Sequence, residues 1–231
     1  MNEPTETDAV KQRYARRPAT DPRYSLLRPE VWHMVQERQR EMLKLFVRAG
    51  HTDLAALRVL EVGCGSGGNL LELLRMGFLP EHLTGVELLP ERATVARHAL
   101  PAATVVHAGD ALALDLPPAS QDIVYVSTVF SSLLDPAFQQ RLATCMWRWL
   151  RSGGAVLWYD FTYDNPRNPD VHGVPLARIR ELFPQGAIDA HRVTLAPPIA
   201  RSVAALHPAL CTIFNLLPAL RTHLLCWIRK P

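Results

Sequence analysis

Closely spaced cysteines are missing from this chain. Its four, Cys64, Cys145, Cys211 and Cys226, form no Cys-x-x-Cys pair, so neither a zinc site nor a disulfide framework is suggested, and a reducing cytosol fits best. The nine histidines show no metal-ligand spacing, and no metal is expected. No uninterrupted apolar run reaches the roughly 18 residues of a membrane span. Residues 1 to 20 are polar and charged, which argues against a secretory signal. A soluble, cytoplasmic protein is expected. Excess charge is also scarce: a net +3 with a pI near 8.8 favours an acidic substrate slightly but falls short of a nucleic-acid footprint, so no nucleic-acid partner is expected. There is no internal repeat and no low-complexity tract.

What remains is an ordinary globular composition. Of 231 residues, 48% are hydrophobic and 20% charged, enough for one compact domain with a real core. Residues 1 to about 20 begin acidic (Glu3, Glu6, Asp8) and turn basic (Lys11, Arg13, Arg16, Arg17), which reads as a polar arm that stays mobile until a ligand orders it. Apolar residues recur at helical spacing from Val31 to Ala49, with Pro29 to open the helix and Gly50 to end it. Residues 1–50 are thus expected as an arm and helix that act as a lid, and residues 51–231 as the core.

Within the core the pattern alternates. Arg58–Gly63, Leu83–Glu87, Thr104–Ala108, Asp122–Val126 and Ala155–Phe161 read as buried strands. Helical segments follow the first, second and fourth, the last of these running from Pro136 to Leu150 behind Asp135 as N-cap. Such alternation means crossover units and a parallel sheet. Strands are also expected at Ile188–Leu195 and Thr222–Ile228, separated by an apolar insertion at about 197–220. The apolar residues of that insertion (Ile199, Val203, Leu206, Leu210, Ile213, Phe214, Leu217) fall mainly on one helical face, interrupted at Pro208 and Pro218. A covering lid, a dimer contact or a membrane-surface helix would each use that face; burial against this protein, or against a second copy in a homodimer, is the expected use, because membrane-surface attachment usually brings many basic residues and only Arg201 stands within the insertion.

The stretch VLEVGCGSGGN, Val59 to Asn69, places four glycines behind the first strand. In an open parallel sheet ligands sit beyond the carboxyl ends of the strands, and Gly63-x-Gly65-x-x-Gly68 has dinucleotide-loop spacing. Glu61 precedes the first glycine by two residues. Glu87 ends the second strand, where its two oxygens can accept from both hydroxyls of a ribose, and Asp110 follows the third, where a carboxylate can accept from an adenine amino group.

On these residues the sequence resembles the class I S-adenosylmethionine-dependent methyltransferases. EVGCGSG is similar to their first motif, GVE to the acidic second, GDA to the third and DIVYVS to the fourth. The resemblance implies a Rossmann-like α/β fold: a seven-stranded, mostly parallel sheet with helices on both faces and an antiparallel last strand. It also implies that Gly63, Gly65 and Gly67 let the methionine end approach the backbone, that Glu87 holds the ribose, that Asp110 and Ala111 hold the adenine, and that Ser127 and Thr128 lie beside the sulfonium. Glu61, Asn69 and Leu88 join the cofactor set. A fainter similarity over nearly the whole chain, through YSLLRPE, STVFSS, WYDFTYDNPRNP and RTHLLCWIRKP, is to small bacterial methyltransferases associated with surface-polysaccharide assembly.

The implied activity is transfer of a methyl group from S-adenosylmethionine, leaving S-adenosylhomocysteine, to an oxygen of a small-molecule or glycan acceptor. N-methylation and a non-catalytic cofactor-binding scaffold are the alternatives. Asp160, near the end of its strand, is the first candidate for a base and His172 the second; Asp160 can equally cap the following turn. Substrate contacts are expected from Tyr14, Arg17 and Tyr24 of the arm, from Phe130, and from Asn165 and Arg167. A nicotinamide enzyme is disfavoured by the lack of Tyr-x-x-x-Lys. A nucleic-acid adenine methyltransferase is disfavoured because Ser127-Thr-Val-Phe130 stands where an Asn/Asp-Pro-Pro-aromatic group belongs. Cys64 reads as a small filler of a tight loop, not a nucleophile.

Overall fold

The structure, a computed structural model, describes residues 5–16, 25–166 and 168–231. Strand β1 (Val59–Val62) is buried along its whole length, as a strand covered on both faces must be. Parallel to it run β2 (Leu83–Glu87) on one side and β4 (Gln121–Ser127) on the other, so the strand order reverses at the end of β1. β3 (Val105–Ala108) extends the first side and β5 (Leu150–Phe161) the second. β7 (Arg221–Arg229) lies antiparallel between β5 and β6 (Ala187–Leu195), giving the order β3-β2-β1-β4-β5-β7-β6. This is the expected Rossmann-like sheet with its antiparallel last strand.

Alternating side chains feed two cores. Leu60 and Val62 join Val124, Val126, Trp158 and the helices α5 (Pro136–Trp149) and α6 (Leu176–Leu182) on one face. Val59 joins Ile123, Tyr125 and Leu157 on the other, beneath α2 (Pro29–Arg48), α3 (Gly68–Met76) and α4 (Pro90–Ala99). Helix α5 starts as its sequence suggests: Asp135 accepts from the Ala137 N–H at 2.8 Å and Pro136 follows. Strand β5 begins at Leu150, five residues before the expected Ala155, because the chain at Gly154 presses on β4. A Cβ there would meet the Asp122 carbonyl oxygen at 2.7 Å, so only glycine permits the approach.

Two segments differ from the sequence reading. Residues 5–16 of the arm include a helix: α1 (Glu6–Ala15) is capped by Thr5, whose Oγ1 accepts from the Asp8 N–H at 3.2 Å, and Val10 is buried in the α5-side core. Thr5 with Asp8 three residues on is a capping signal that the overall polarity hides. The insertion is not one buried face either. It folds as two short helices, α7 (Pro197–Leu206) and α8 (Ala209–Asn215), broken at Pro208. Ala200, Val203 and Cys211 pack beneath with Leu195, while Leu206, Ile213, Phe214 and Leu217 stay exposed. Among the described residues no helix is long and apolar enough to cross a membrane.

Candidate functional site

The glycine loop is strapped to the next strand. Gly63 and Cys64 donate their N–H groups to the Val86 carbonyl at 2.8 and 3.1 Å. Gly63 has φ +71°, and a Cβ on it would come within 2.5 Å of Val129 Cγ2, so both conformation and space require glycine. The Gly65 N–H donates to Glu87 Oε2 at 2.8 Å, and the Leu89 N–H donates to Oε1 at 3.0 Å. Both carboxylate oxygens therefore bind main chain, and the side chain is only 5% exposed; each oxygen retains a second lone pair for a hydroxyl. Cys64 is buried, its sulfur beside Gly85, and burial holds its thiol protonated well above the usual range, which bears out the filler reading.

Glu61 is fully buried. Asn69 Nδ2 donates to its Oε1 at 2.6 Å, and its Oε2 has no partner among the described residues. Desolvation pushes the carboxyl up to about 8, against the lowering by Asn69 and Arg38. A buried, unpartnered carboxylate oxygen beside a glycine loop suits a cationic ammonium, and this is the fit that a methionine end offers.

On the β3 side, Asp110 Oδ1 accepts from the Leu112 N–H, and Oδ2 accepts from Thr7 Oγ1 of α1, both at 2.9 Å. A cavity of about 320 Å³ opens here, lined in part by Val86, Gly109, Asp110 and Leu114. Helix α1 is fastened over this edge. Arg13 donates to Glu6 Oε1 and to the Ser132 carbonyl, Glu6 accepts from the Leu134 N–H, and the Arg92 guanidinium lies 5.4 Å from the Tyr14 ring centre. Leu88 and Ala111 are half-buried against the α5-side core.

A polar cluster on the α2 face went unread in the sequence. Arg38, 9% exposed, donates to Asn69 Oδ1 and to both Glu72 oxygens at 2.9 Å, so it positions the asparagine that holds Glu61. The same guanidinium lies over the Tyr159 ring at 5.2 Å. The Tyr159 hydroxyl meets Thr194 Oγ1 at 2.8 Å, and Glu37 accepts from the Thr194 N–H at 3.0 Å. His223 stacks on Tyr159 with centroids 5.0 Å apart, and burial, then Arg38, lowers it to about 4, keeping it neutral. Thr128 and Thr194 hold the left-handed region, φ +54° and +66°, an unfavourable conformation that tends to cluster at working sites. The signal was available: Glu37 and Arg38 fall on the apolar stripe of α2, between Met34 and Met42, where a core side chain is due.

The candidate catalytic and acceptor residues are scattered. Asp160 is 1% exposed, its Oδ2 accepting from the Ser131 N–H at 3.0 Å and its Oδ1 from the Phe161 N–H at 2.9 Å. Desolvation raises it to about 7. His172 is exposed, 3.4 Å from Asp164. Phe130 lies fully buried against Trp158, so its expected contact with substrate is corrected to a core role. Ser127 is buried at the end of β4, and Thr128, the next residue, donates its hydroxyl to the Ser127 carbonyl. Asn165 sits in the exposed loop after β5. Arg17, Tyr24 and Arg167 lie outside the described residues.

Residues 60–158 match a family model described as a methyltransferase domain. An S-adenosylmethionine-dependent methyltransferase from Mesorhizobium loti superposes with a TM-score of 0.59 at 18% identity, covering 80% of this chain and 96% of that one. Residues 60–158 thus carry a methyltransferase domain, on the fold of the S-adenosylmethionine-dependent methyltransferases. A curated relative from Mycobacterium ulcerans, phthiotriol/phenolphthiotriol dimycocerosates methyltransferase 1, is 35% identical over 153 residues, 63% of this chain. The match spans 54% of that relative's own length. The [4+2]-cyclase SpnF superposes with a TM-score of 0.64 at 16% identity, covering 99% of this chain and 97% of that one. At such identities the likeness is one of fold.

Proposed function

We propose that this protein moves the methyl group of S-adenosylmethionine to an oxygen of a small-molecule, glycan or lipid-linked acceptor by in-line displacement. The observation that carries the reading is the loop from Gly63 to Gly67 bonded to Glu87, with the free oxygen of buried Glu61 beside it. Bound there, the sulfonium cofactor supplies an activated methyl group, and the chain's own residues mainly align and enclose the reactants. Glu87 takes the ribose hydroxyls on its remaining lone pairs, Glu61 the ammonium, and Asp110 the adenine amino group. Since Asp110 also binds Thr7, α1 serves as the lid, and cofactor entry loosens that contact.

With the cofactor supplying the methyl group, the chain's own part would be to hold an acceptor hydroxyl in line with it and to take up the hydroxyl proton. We assign that proton to Asp160, whose raised pKa suits the task. It also caps the turn at 130–132, so the same carboxylate ties the base to the loop beside Thr128. His172, exposed and distant in character from a buried base, is given the lesser role of a loop contact. The relative named for phthiotriol and phenolphthiotriol dimycocerosates supports a hydroxyl acceptor that is hydrophobic or lipid-linked.

A second reading rests on the cyclase likeness: a cofactor-binding protein of this fold need not transfer methyl groups. Incubation with S-adenosylmethionine and a panel of glycan and lipid alcohols separates the two. Acceptor-dependent release of S-adenosylhomocysteine is expected. Tight cofactor binding with no product on any acceptor would favour the second reading.

A further inference from the structure

Among the described residues, seven of the fifteen exposed large apolar side chains fall in two stretches. Leu206, Ile213, Phe214, Leu216 and Leu217 of the α7–α8 insertion are exposed, as are Leu26 and Leu27 ahead of α2, with Leu27 94%, Leu206 81% and Leu216 70% accessible. The two stretches adjoin, because Leu27 and Arg28 line one cavity of about 280 Å³ with Arg201, Ala204 and Ala205 of α7. A contiguous apolar surface of this kind marks an interaction site.

Charge narrows the partner. From residue 190 to residue 221 there are three arginines, Arg192, Arg201 and Arg221, and no Asp or Glu. Glu30, the carboxylate lining the cavity, is held by Arg28 at 2.8 Å. Apolar side chains flanked by Arg201 and Arg221, with the lining carboxylate Glu30 already paired to Arg28, match the boundary layer of an anionic bilayer, where leucines enter the acyl region and arginines meet phosphates. The base beneath is firm: Ala200, Val203 and Cys211 pack on Leu195, and the Cys211 thiol donates to the Ala200 carbonyl. The insertion joins β6 to β7 at the carboxyl edge of the sheet, the edge that carries Thr194 and His223.

We propose that the α7–α8 face, with Leu26 and Leu27, docks on an anionic lipid surface and takes the acceptor from it. The acceptor half of this rests on the methyl-transfer reading; the docking half does not. Docking holds the carboxyl edge of the sheet against the bilayer, so an amphiphilic alcohol reaches the site without crossing water.

Sedimentation of the full chain with sucrose-loaded vesicles tests it. Binding is expected to vesicles of phosphatidylcholine mixed with phosphatidylglycerol, to weaken with salt, and to be slight with phosphatidylcholine alone. The triple variant Leu206→Ser, Leu216→Ser, Leu217→Ser should lower the bound fraction about tenfold or more, since each leucine withdraws several apolar carbons. Arg201→Glu should lower it without removing apolar surface. S-adenosylhomocysteine affinity, measured in parallel, should be unchanged in both variants, which separates failed docking from a failed cofactor reading. No sedimentation with either vesicle, binding indifferent to lipid charge, or a wild-type dimer by light scattering that the triple variant dissociates would each overturn the proposal. The last outcome would assign the face to a second copy.

Discussion

At the residue scale the proposed chemistry rests on two buried carboxyls, Glu61 and Asp160. Burial raises Glu61 from 4.5 to about 8. A group raised on folding contributes stability that is fully present below its unfolded value and is lost as pH rises through the folded one. Glu61→Gln should therefore melt higher than wild type above about pH 8 when no ligand is present. An ammonium on Oε2 favours the ionised carboxylate, so S-adenosylhomocysteine affinity should rise in wild type between about pH 6 and pH 8 and stay flat in Glu61→Gln. Calorimetry across that range measures both; an equal slope in the two proteins would remove Glu61 from the ammonium site. For Asp160, raised from 3.8 to about 7, the base assignment predicts that kcat climbs with pH through about 7. Asp160→Asn should lower kcat about 100-fold and abolish that limb, with S-adenosylhomocysteine affinity intact. A variant of full activity and unaltered profile, merely less stable, would leave Asp160 as a turn cap alone.

At the scale of single elements, what the sequence declared depended on whether one residue type dominated. Glycines and strand-end acids in β1, β2 and after β3 are gathered at one edge of the sheet, Glu87 bonded to the Gly65 N–H and Glu61 to Asn69, because backbone approach and carboxylate placement leave little choice of residue. Helix α2 was legible as a helix. Its buried polar cluster was not, since Glu37 and Arg38 interrupt the stripe in a way that a surface turn would also explain, and only the fold brings Asn69, Tyr159 and Thr194 against them. Helix α1 was concealed by its polarity, because a helix this short is held by tertiary contacts and not by propensity. If those contacts make it a lid, Arg13→Ala should speed amide exchange across 6–15 about tenfold or more and raise the S-adenosylhomocysteine off-rate, with exchange in the sheet unchanged. Faster exchange with an unaltered off-rate would make α1 a fixed brace.

Across the whole molecule, alternation of strands and helices was enough to read the sheet, its parallel part and the place of the glycine loop at the strand reversal. The acceptor side was far less legible. In the proposed reading it is assembled from α1, α2, the loop after β5 and the insertion, segments distant in sequence whose side chains obey no common motif. Phe130 shows the difficulty: a large apolar residue beside the fourth motif faces the core here, and local sequence cannot tell core from pocket. The exposed leucines of α7 and α8 show the converse, since helical spacing alone does not say whether an apolar face is covered.

The central claim concerns the cofactor: its ribose is held by the carboxylate that also binds the Gly65 N–H. Titration of S-adenosylhomocysteine into wild type and Glu87→Ala, with melting curves to confirm that both are folded, tests it most directly. Hydrogen bonds to a charged group predict a loss of affinity of roughly 10- to 100-fold. Equal affinity in two folded proteins would contradict the account.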